Sequence, residues 1–179
     1  MKGRHAGILP TCLFMAIPQK WYVTGIYMIK YEKIIFVCTG NTCRSPMAET
    51  IYRSMETNSD ITVTSRGLVV LFSEPFNPKA DTVLKNHNLE LEGHFSKPLK
   101  NSDIDENTLI LTMTEKQKQS VIEDFKDTGN IYTIKEFVGE SGDVTDPYGG
   151  TLIDYEDCYV ELARLVKKTV YKLNEEENA

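Results

Sequence analysis

The sequence VCTGNTCRSP occupies residues 37–46, between an apolar run at 34–37 and a helical pattern that begins near Met47. A cysteine, five residues and then Arg-Ser, placed between a buried strand and a helix, are typical of a loop that holds phosphate. Backbone N–H groups in such a loop point inward and, with the positive end of the following helix, form an anion site. Arg44 can grip two phosphate oxygens, and Cys38 is expected beneath the phosphorus as a nucleophile.

The alternative interpretation of Cys38 is a small buried hydrophobic residue at the end of an apolar strand. The spacing from cysteine to arginine is by itself a weak signal. The surrounding residues favour the catalytic interpretation, because Gly40 and Asn41 stand where the loop must turn tightly. Ser45 and Pro46 then stand where the helix begins.

Composition limits the classes of function that the chain can have. With 179 residues and a net charge of −6, it fits one domain and has no Lys/Arg run typical of nucleic-acid or membrane binding. We therefore expect no nucleic-acid or membrane partner, and a monomer. The cysteines are too few and scattered for a disulfide framework and lack zinc spacing, so we expect no metal and a reducing, cytoplasmic setting. They are Cys12, Cys38, Cys43 and Cys158.

The two ends of the chain differ from its middle. Residues 1–27 combine basic residues with a short apolar run that Pro10 and Pro18 interrupt. No convincing signal-peptide cleavage site follows, and the run is too broken for a membrane span. We interpret 1–27 as an N-terminal extension that is disordered or not native. The domain is expected over 28–173, and 174–179 as an acidic, solvated tail.

The middle of the chain alternates strand and helix patterns. Such alternation predicts an α/β fold with a parallel sheet and helices on both faces. Ligands in these sheets bind beyond the carboxyl ends of the strands, which is where the cysteine loop lies. The predicted strands are 33–38, 61–66, 108–113 and 131–134. The predicted helices are 46–58, 79–87, 114–125 with Thr114 as its cap, and a closing helix marked by apolar positions between Tyr155 and Leu173.

A second set of functional residues is predicted in the loop DVTDPYGG at 143–150. Asp146 precedes Pro147, which restricts its backbone. A carboxyl group here is suited to give a proton to a leaving group and then to activate the water that hydrolyses a phosphocysteine. Tyr148 is suited to stack against a flat substrate group. An ordinary Asx/Pro turn is the alternative, and Asp143 is the weaker candidate for the acid.

Taken together, residues 37–49 and the later Asp146-Pro147-Tyr148 resemble the low-molecular-weight protein tyrosine phosphatases. The resemblance extends over about 28–173. It implies a three-layer α/β fold with a four-stranded parallel sheet. It also implies a two-step mechanism through a phosphocysteine that needs no metal and no cofactor, with phosphorylated proteins as substrates.

Carried over by position, the family pattern implies a role for each matching residue. Cys38 is the nucleophile, Arg44 binds phosphate and stabilises the transition state, and Asp146 is the general acid and base. Ser45 hydrogen-bonds the Cys38 sulfur, and Asn41 braces the loop. The remaining residues expected to bind phosphate or substrate are Thr39, Gly40, Thr42, Cys43 and Tyr148.

Cys43 matches a second cysteine of the family, which can form a disulfide with the nucleophile. Oxidation would then inactivate the enzyme reversibly and protect Cys38 from further oxidation. The alternative is that Cys43 only packs behind the loop. His94 lies near a position where family members have a histidine that braces the loop, and we interpret it as structural.

The identity of residue 42 bears on the substrate. With Thr42, the loop resembles that of a bacterial subgroup of protein-arginine phosphatases, and 134–138 and 146–150 resemble the same subgroup. A hydroxyl makes the pocket wall more polar and better suited to a guanidinium than to a phenyl ring. We therefore favour phosphoarginine over phosphotyrosine, with activity on small aryl phosphates in either case; such discrimination rests on a few kcal/mol.

Two other classes of function are alternatives to a phosphatase. Arsenate reductases share the cysteine loop, but their chemistry needs additional cysteines, and Cys158 is the only later one. A noncatalytic phosphoprotein-binding module would need neither a nucleophile nor an acid, so the joint presence of Cys38, Arg44 and Asp146 argues against it.

Overall fold

The structure is a computed structural model that describes residues 31–55, 61–125 and 130–178, with side chains to 174. The predicted extension at 1–27 and the predicted helical residues 56–58 lie outside the described residues. Within the described part of the chain, no helix is long and apolar enough to cross a membrane.

Four strands form one parallel sheet: β1 Lys33–Cys38, β2 Thr62–Gly67, β3 Thr108–Thr112 and β4 Ile131–Thr133. Their order in the sheet is β2-β1-β3-β4. This confirms the predicted α/β fold with a four-stranded parallel sheet. In register, Cys38 at the end of β1 lies beside Gly67 at the end of β2, and Val37 lies beside Thr112 of β3.

Gly67 allows two chain segments to approach closely behind the cysteine loop. A Cβ atom at this position would lie 3.0 Å from the Gly40 carbonyl carbon and 3.0 Å from the Thr39 carbonyl oxygen. It would also lie 2.5 Å from a methyl carbon of Val70. Any larger residue would therefore displace the loop backbone.

Among the described residues, five helices cover the sheet; four of them follow the predicted order, and the short fourth helix was not predicted. They are α1 Arg44–Ser54, α2 Pro78–Asn86, α3 Glu115–Asp124, α4 Ile134–Phe137 and α5 Leu152–Asn178. A short 3₁₀ turn at Asn101–Asp103 precedes β3. The Thr114 side chain caps α3 as predicted, and α5 extends to Asn178, past the last apolar position of its pattern.

Several predicted boundaries were wrong, and two of them show a clear local cause. The first helix ends at Ser54 rather than at 58, because Met55 has an extended backbone at φ −84° and ψ 137°. The last strand ends at Thr133 rather than at 134. There Thr133 and Glu136 form a capping box, in which each side chain accepts a hydrogen bond from the other residue's backbone N–H. The capping box starts α4 at Ile134.

The side chains of β1 alternate between two apolar layers. Ile34, Phe36 and Cys38 pack into the larger cluster with α1 and α5, whereas Ile35 and Val37 face the layer that contains Val121 of α3. Each buried aliphatic side chain contributes about 1.5–3 kcal/mol relative to exposure. The alternation turns Cys38 toward α1 and α5, which carry or flank the other site residues.

Candidate active site

The loop between β1 and α1 is built around Asn41, which is completely buried. Its φ of 56° lies in the left-handed region, where asparagine is tolerated better than most residues. The side-chain Nδ2 donates to Ser45 Oγ at 3.0 Å and to Ser65 Oγ at 2.9 Å, and Oδ1 accepts from the Lys97 N–H at 2.9 Å. The Asn41 carbonyl accepts a 2.9 Å bond from His94 Nε2, so that nitrogen carries a proton. These contacts fix the path of the loop.

The sulfur of Cys38 lies at the base of this loop, with only 3% of the residue exposed. The Asn41 backbone N–H donates to Cys38 Sγ at 3.3 Å, and Ser45 Oγ lies 3.0 Å from the same sulfur. Ser45 has one proton, and its other nearby acceptor is the Arg66 carbonyl at 3.3 Å. When Cys38 is a thiolate, Ser45 can donate to it, so that two hydrogen bonds stabilise the anion.

Arg44 joins the cysteine loop to the loop before α5. Its side chain is only 5% exposed, and it forms an ion pair with Asp146. A second guanidinium nitrogen, Nη1, donates to the Val144 carbonyl at 3.3 Å. The other carboxylate oxygen of Asp146 accepts from the Tyr148 N–H at 3.2 Å. Asp146 therefore forms the Asx turn of the alternative interpretation and also contacts the cysteine loop through Arg44.

Asp143, the weaker candidate for the acid, lies elsewhere. Its Oδ1 accepts a 2.8 Å bond from the Glu115 N–H at the start of α3, and its carbonyl accepts from Lys135 Nζ at 2.9 Å. The next residue, Val144, is buried, and its N–H donates to the Met113 carbonyl at 2.9 Å. Asp143 thus anchors one end of the loop that carries Asp146.

The described cysteines other than Cys38 are free, buried thiols. Burial raises the pKa of Cys43, although hydrogen bonds with Thr42 at 3.7 Å and Tyr155 at 3.8 Å oppose this effect. Burial raises the pKa of Cys158 on α5 to about 12. Both groups are therefore protonated at neutral pH. Within residues 31–55, 61–125 and 130–178, no cluster of His, Cys, Asp and Glu could hold a metal ion.

The first turn of α2 connects the two functional loops, a role that the sequence analysis missed. The Asn77 N–H donates to the Thr42 carbonyl at 3.0 Å, and the Asn77 side chain caps α2. Lys79 donates through Nζ to the Gly150 carbonyl and lies 5.9 Å above the Tyr155 ring. The Asn-Pro pair at 77–78 is a helix-start signal, but no local pattern indicates which loops α2 contacts.

Gln117 of α3 was also missed, and its side chain is almost fully buried. Its Nε2 donates to the Thr39 hydroxyl oxygen at 3.0 Å, and its Oε1 accepts from the Met113 N–H at 3.1 Å. Thr114 followed by Gln117 has the spacing of a capping box. A capping box predicts that the Gln117 side chain accepts a hydrogen bond from the backbone N–H of Thr114. In the structure it accepts instead from the N–H of Met113, one residue earlier.

These loops lie at the carboxyl edge of a parallel sheet, with a cysteine below, an arginine beside it and an aspartate opposite. Such an arrangement is suited to phosphoryl transfer through cysteine. Residues 33–179 match the family described as low molecular weight phosphotyrosine protein phosphatase, and the chain belongs to this family of enzymes. The family resemblance seen in the sequence is thereby confirmed.

Two relatives and one solved structure are similar to this chain over most of its length. A low molecular weight protein-tyrosine-phosphatase PtpB from Staphylococcus haemolyticus is 41% identical over 136 residues, covering 76% of this chain and 96% of that protein. A protein-arginine-phosphatase from Bacillus subtilis is 36% identical over 148 residues, covering 80% of this chain and 97% of that protein. The structure of the YwlE arginine phosphatase from Geobacillus stearothermophilus superposes with a TM-score of 0.76 at 36% identity, covering 81% of this chain and 94% of that one.

Proposed function

We propose that the enzyme removes phosphate from phosphoarginine side chains of proteins through a covalent intermediate on Cys38. The observation that carries this proposal is the polar side chain of Thr42 in the loop between β1 and α1. The Thr42 hydroxyl oxygen would lie 3.6 Å from a Cβ placed on Gly40, so it turns back across the loop rather than away from it. The likeness to two named arginine phosphatases supports the same substrate.

In the first step, the Cys38 thiolate attacks phosphorus as the bond from phosphorus to the substrate nitrogen breaks. Arg44 and the loop N–H groups hold the phosphoryl oxygens. Phosphate competes with Asp146 for the Arg44 guanidinium, because a phosphoryl group offers two acceptors and more negative charge. The displaced carboxyl of Asp146, when protonated, gives its proton to the departing nitrogen.

In the second step, a water molecule attacks the phosphocysteine, and Asp146 accepts the proton of that water. The S–P bond breaks, and inorganic phosphate and the Cys38 thiolate are regenerated. The Asn41 N–H and the Ser45 hydroxyl, both within 3.3 Å of Cys38 Sγ, stabilise this leaving thiolate. Neither step requires a metal or an organic cofactor.

Phosphotyrosine is the second candidate substrate. Tyr148 is 75% exposed beside Asp146, where its ring is able to stack on an aromatic ring as well as on a guanidinium. The PtpB relative named above also favours this alternative. The three free cysteines at 38, 43 and 158 support a reducing, cytoplasmic setting for either activity.

The proposal is tested by measuring kcat/KM on matched phosphoarginine and phosphotyrosine peptides in reducing buffer without added metal, with Cys38→Ser as the blank. We expect preference for phosphoarginine. In Thr42→Val, which keeps the side-chain shape and removes the hydroxyl, we expect that preference to fall. A preference for phosphotyrosine would contradict the substrate assignment and leave a tyrosine phosphatase. Turnover that survives in Cys38→Ser would contradict the mechanism.

A further inference from the structure

We propose that Gln117 is a positioning residue that fixes the Thr39 hydroxyl so that its proton is offered to a bound phosphoryl group. This inference rests on the proposed function, because it takes the loop between β1 and α1 as the phosphate site. Gln117 is 6% exposed, on a helix with only one other buried residue, Val121. Burial of a side-chain amide is favourable only when both its oxygen and its nitrogen have hydrogen-bond partners.

The direction of each hydrogen bond follows from the chemistry of the partners. The Met113 backbone N–H can only donate, so the atom of Gln117 that lies 3.1 Å from it must be the carbonyl oxygen. The amide nitrogen must then be the atom 3.0 Å from Thr39 Oγ1. An amide nitrogen can only donate, and the Thr39 hydroxyl is therefore an acceptor in this contact.

Because Thr39 Oγ1 accepts from Gln117, its single proton has to point to another acceptor. None lies within hydrogen-bonding distance among the residues that the structure describes. The Thr39 backbone is held separately, since its carbonyl accepts a 2.9 Å bond from the Val69 N–H. Thr39 is exposed and directly follows Cys38 in the loop. A phosphoryl oxygen above Cys38 would be the acceptor that completes this arrangement.

Gln117→Glu is the informative substitution because its shape is nearly unchanged. One carboxylate oxygen still accepts from the Met113 N–H, whereas the other becomes an acceptor toward Thr39 and draws the hydroxyl proton away from the site. Thr39→Val removes the hydroxyl, and Thr39→Ser keeps it. Gln119→Glu adds the same charge on the exposed face of α3, where Gln119 hydrogen-bonds only Glu115 at 2.8 Å, and serves as the matched control.

The readouts are the Kd for inorganic phosphate, measured calorimetrically on the full chain, and kcat and KM on a small aryl phosphate. We expect Thr39→Val and Gln117→Glu each to weaken phosphate binding about tenfold, the effect of one hydrogen bond to a charged group. KM should rise with Kd. Gln119→Glu should stay within about twofold of the unmodified enzyme. Thr39→Ser, which keeps the donor, should recover most of the phosphate binding that Thr39→Val loses.

The double variant Thr39→Val/Gln117→Glu decides whether Gln117 acts through Thr39. We expect it to bind phosphate about as weakly as Thr39→Val alone, since the proton that Glu would redirect is already absent. An equal loss from Gln117→Glu in both backgrounds, or unchanged phosphate binding in Thr39→Val, would overturn the inference. If the variants change phosphate binding as expected but the unmodified chain turns over no phosphorylated substrate, the proposed function fails while this inference stands.

Discussion

The guanidinium of Arg44 is paired with the carboxylate of Asp146, 102 residues further along the chain. The pair joins the phosphate loop to the loop before α5. The Arg44 side chain is buried and Asp146 is half exposed, so the aspartate is the partner that can move. Phosphate binding would release the carboxyl at the point where a leaving group needs a proton.

The Asp146→Asn variant tests this role of the aspartate. Its side-chain oxygen can still accept from the Tyr148 N–H, so the turn is retained, but it has no acidic proton. We expect kcat on peptides to fall about 10²–10⁴-fold, the usual contribution of a general acid. Aryl phosphates with very acidic leaving groups should lose much less, because their departure needs no proton. Asp143→Asn, assayed in parallel, should keep most of its activity. An equal loss in Asp143→Asn would contradict the assignment of Asp146 as the general acid.

Removal of the Asn41 side chain should destabilise the fold as well as the site. Asn41→Ala loses three side-chain hydrogen bonds and places alanine at a φ of 56°. We expect a loss of about 3 kcal/mol in the free energy of unfolding, measured by urea denaturation. The matched control is Asn88→Ala, which has a φ of 58° on an exposed turn and should lose about 1 kcal/mol. Equal losses in the two variants would show that the buried hydrogen bonds contribute nothing.

The pair of Arg66 and Asp103 should make stability depend on pH in the acid range. Burial acts to raise the pKa of Asp103, but two 3.1 Å hydrogen bonds from Arg66 and one from the Lys100 N–H hold it below the ordinary value of 3.8. A lowered folded-state pKa contributes stability above the unfolded pKa, and this contribution is lost as pH falls through the folded value.

Urea denaturation at several pH values between about 2 and 6 checks this expectation. Relative to the natural chain, Asp103→Asn should be less stable near pH 6, and the difference should shrink as the solution is acidified. Asp124→Asn, an exposed change at the end of α3, is the control and should shift the curve little at any pH. A difference for Asp103→Asn that is constant across the range would mean that the ion pair does not titrate as described.

Cys43 remains the predicted partner of Cys38 in oxidation. Peroxide would convert Cys38 to a sulfenic acid, and attack by the Cys43 sulfur would form a disulfide and release water. Because burial raises the pKa of Cys43, its thiolate fraction and hence the rate of disulfide formation should increase with pH. Stopped-flow measurement of thiol loss at several pH values checks the trend.

Two variants separate the cysteines. With excess peroxide, Cys43→Ser should let Cys38 be oxidised past the sulfenic acid to the sulfinic acid, which dithiothreitol does not reduce, whereas Cys158→Ser should leave the recovery intact. Full recovery of activity in Cys43→Ser would leave Cys43 as a residue that only packs behind the loop.

The sequence predicted those parts of the enzyme that are encoded by neighbouring residues. The loop from Cys38 to Arg44 is contiguous, and together with the strand before it and the helix after it, it indicates an anion site. Asp146 was found because proline and glycine mark its loop. The sheet followed from strand patterns, one continuously apolar and one alternating, that take turns with helix patterns along the chain.

The contacts that join distant segments could not be predicted in the same way. Gln117 meets Thr39 across 78 residues and Lys79 meets Gly150 across 71, and each pairing depends on how a helix packs against the sheet. The end of β4 was missed for a different reason. The capping box of Thr133 and Glu136 is visible in the sequence, but the prediction of a strand over 131–134 did not take it into account.

The most direct test of the account is to identify the covalent intermediate. The enzyme is mixed with a phosphoarginine peptide, quenched within milliseconds, digested and analysed by mass spectrometry. The account predicts a transient phosphate adduct on Cys38 that forms and decays at rates consistent with kcat. Turnover of the peptide with no adduct, or with the adduct on a residue other than Cys38, would contradict the phosphocysteine mechanism.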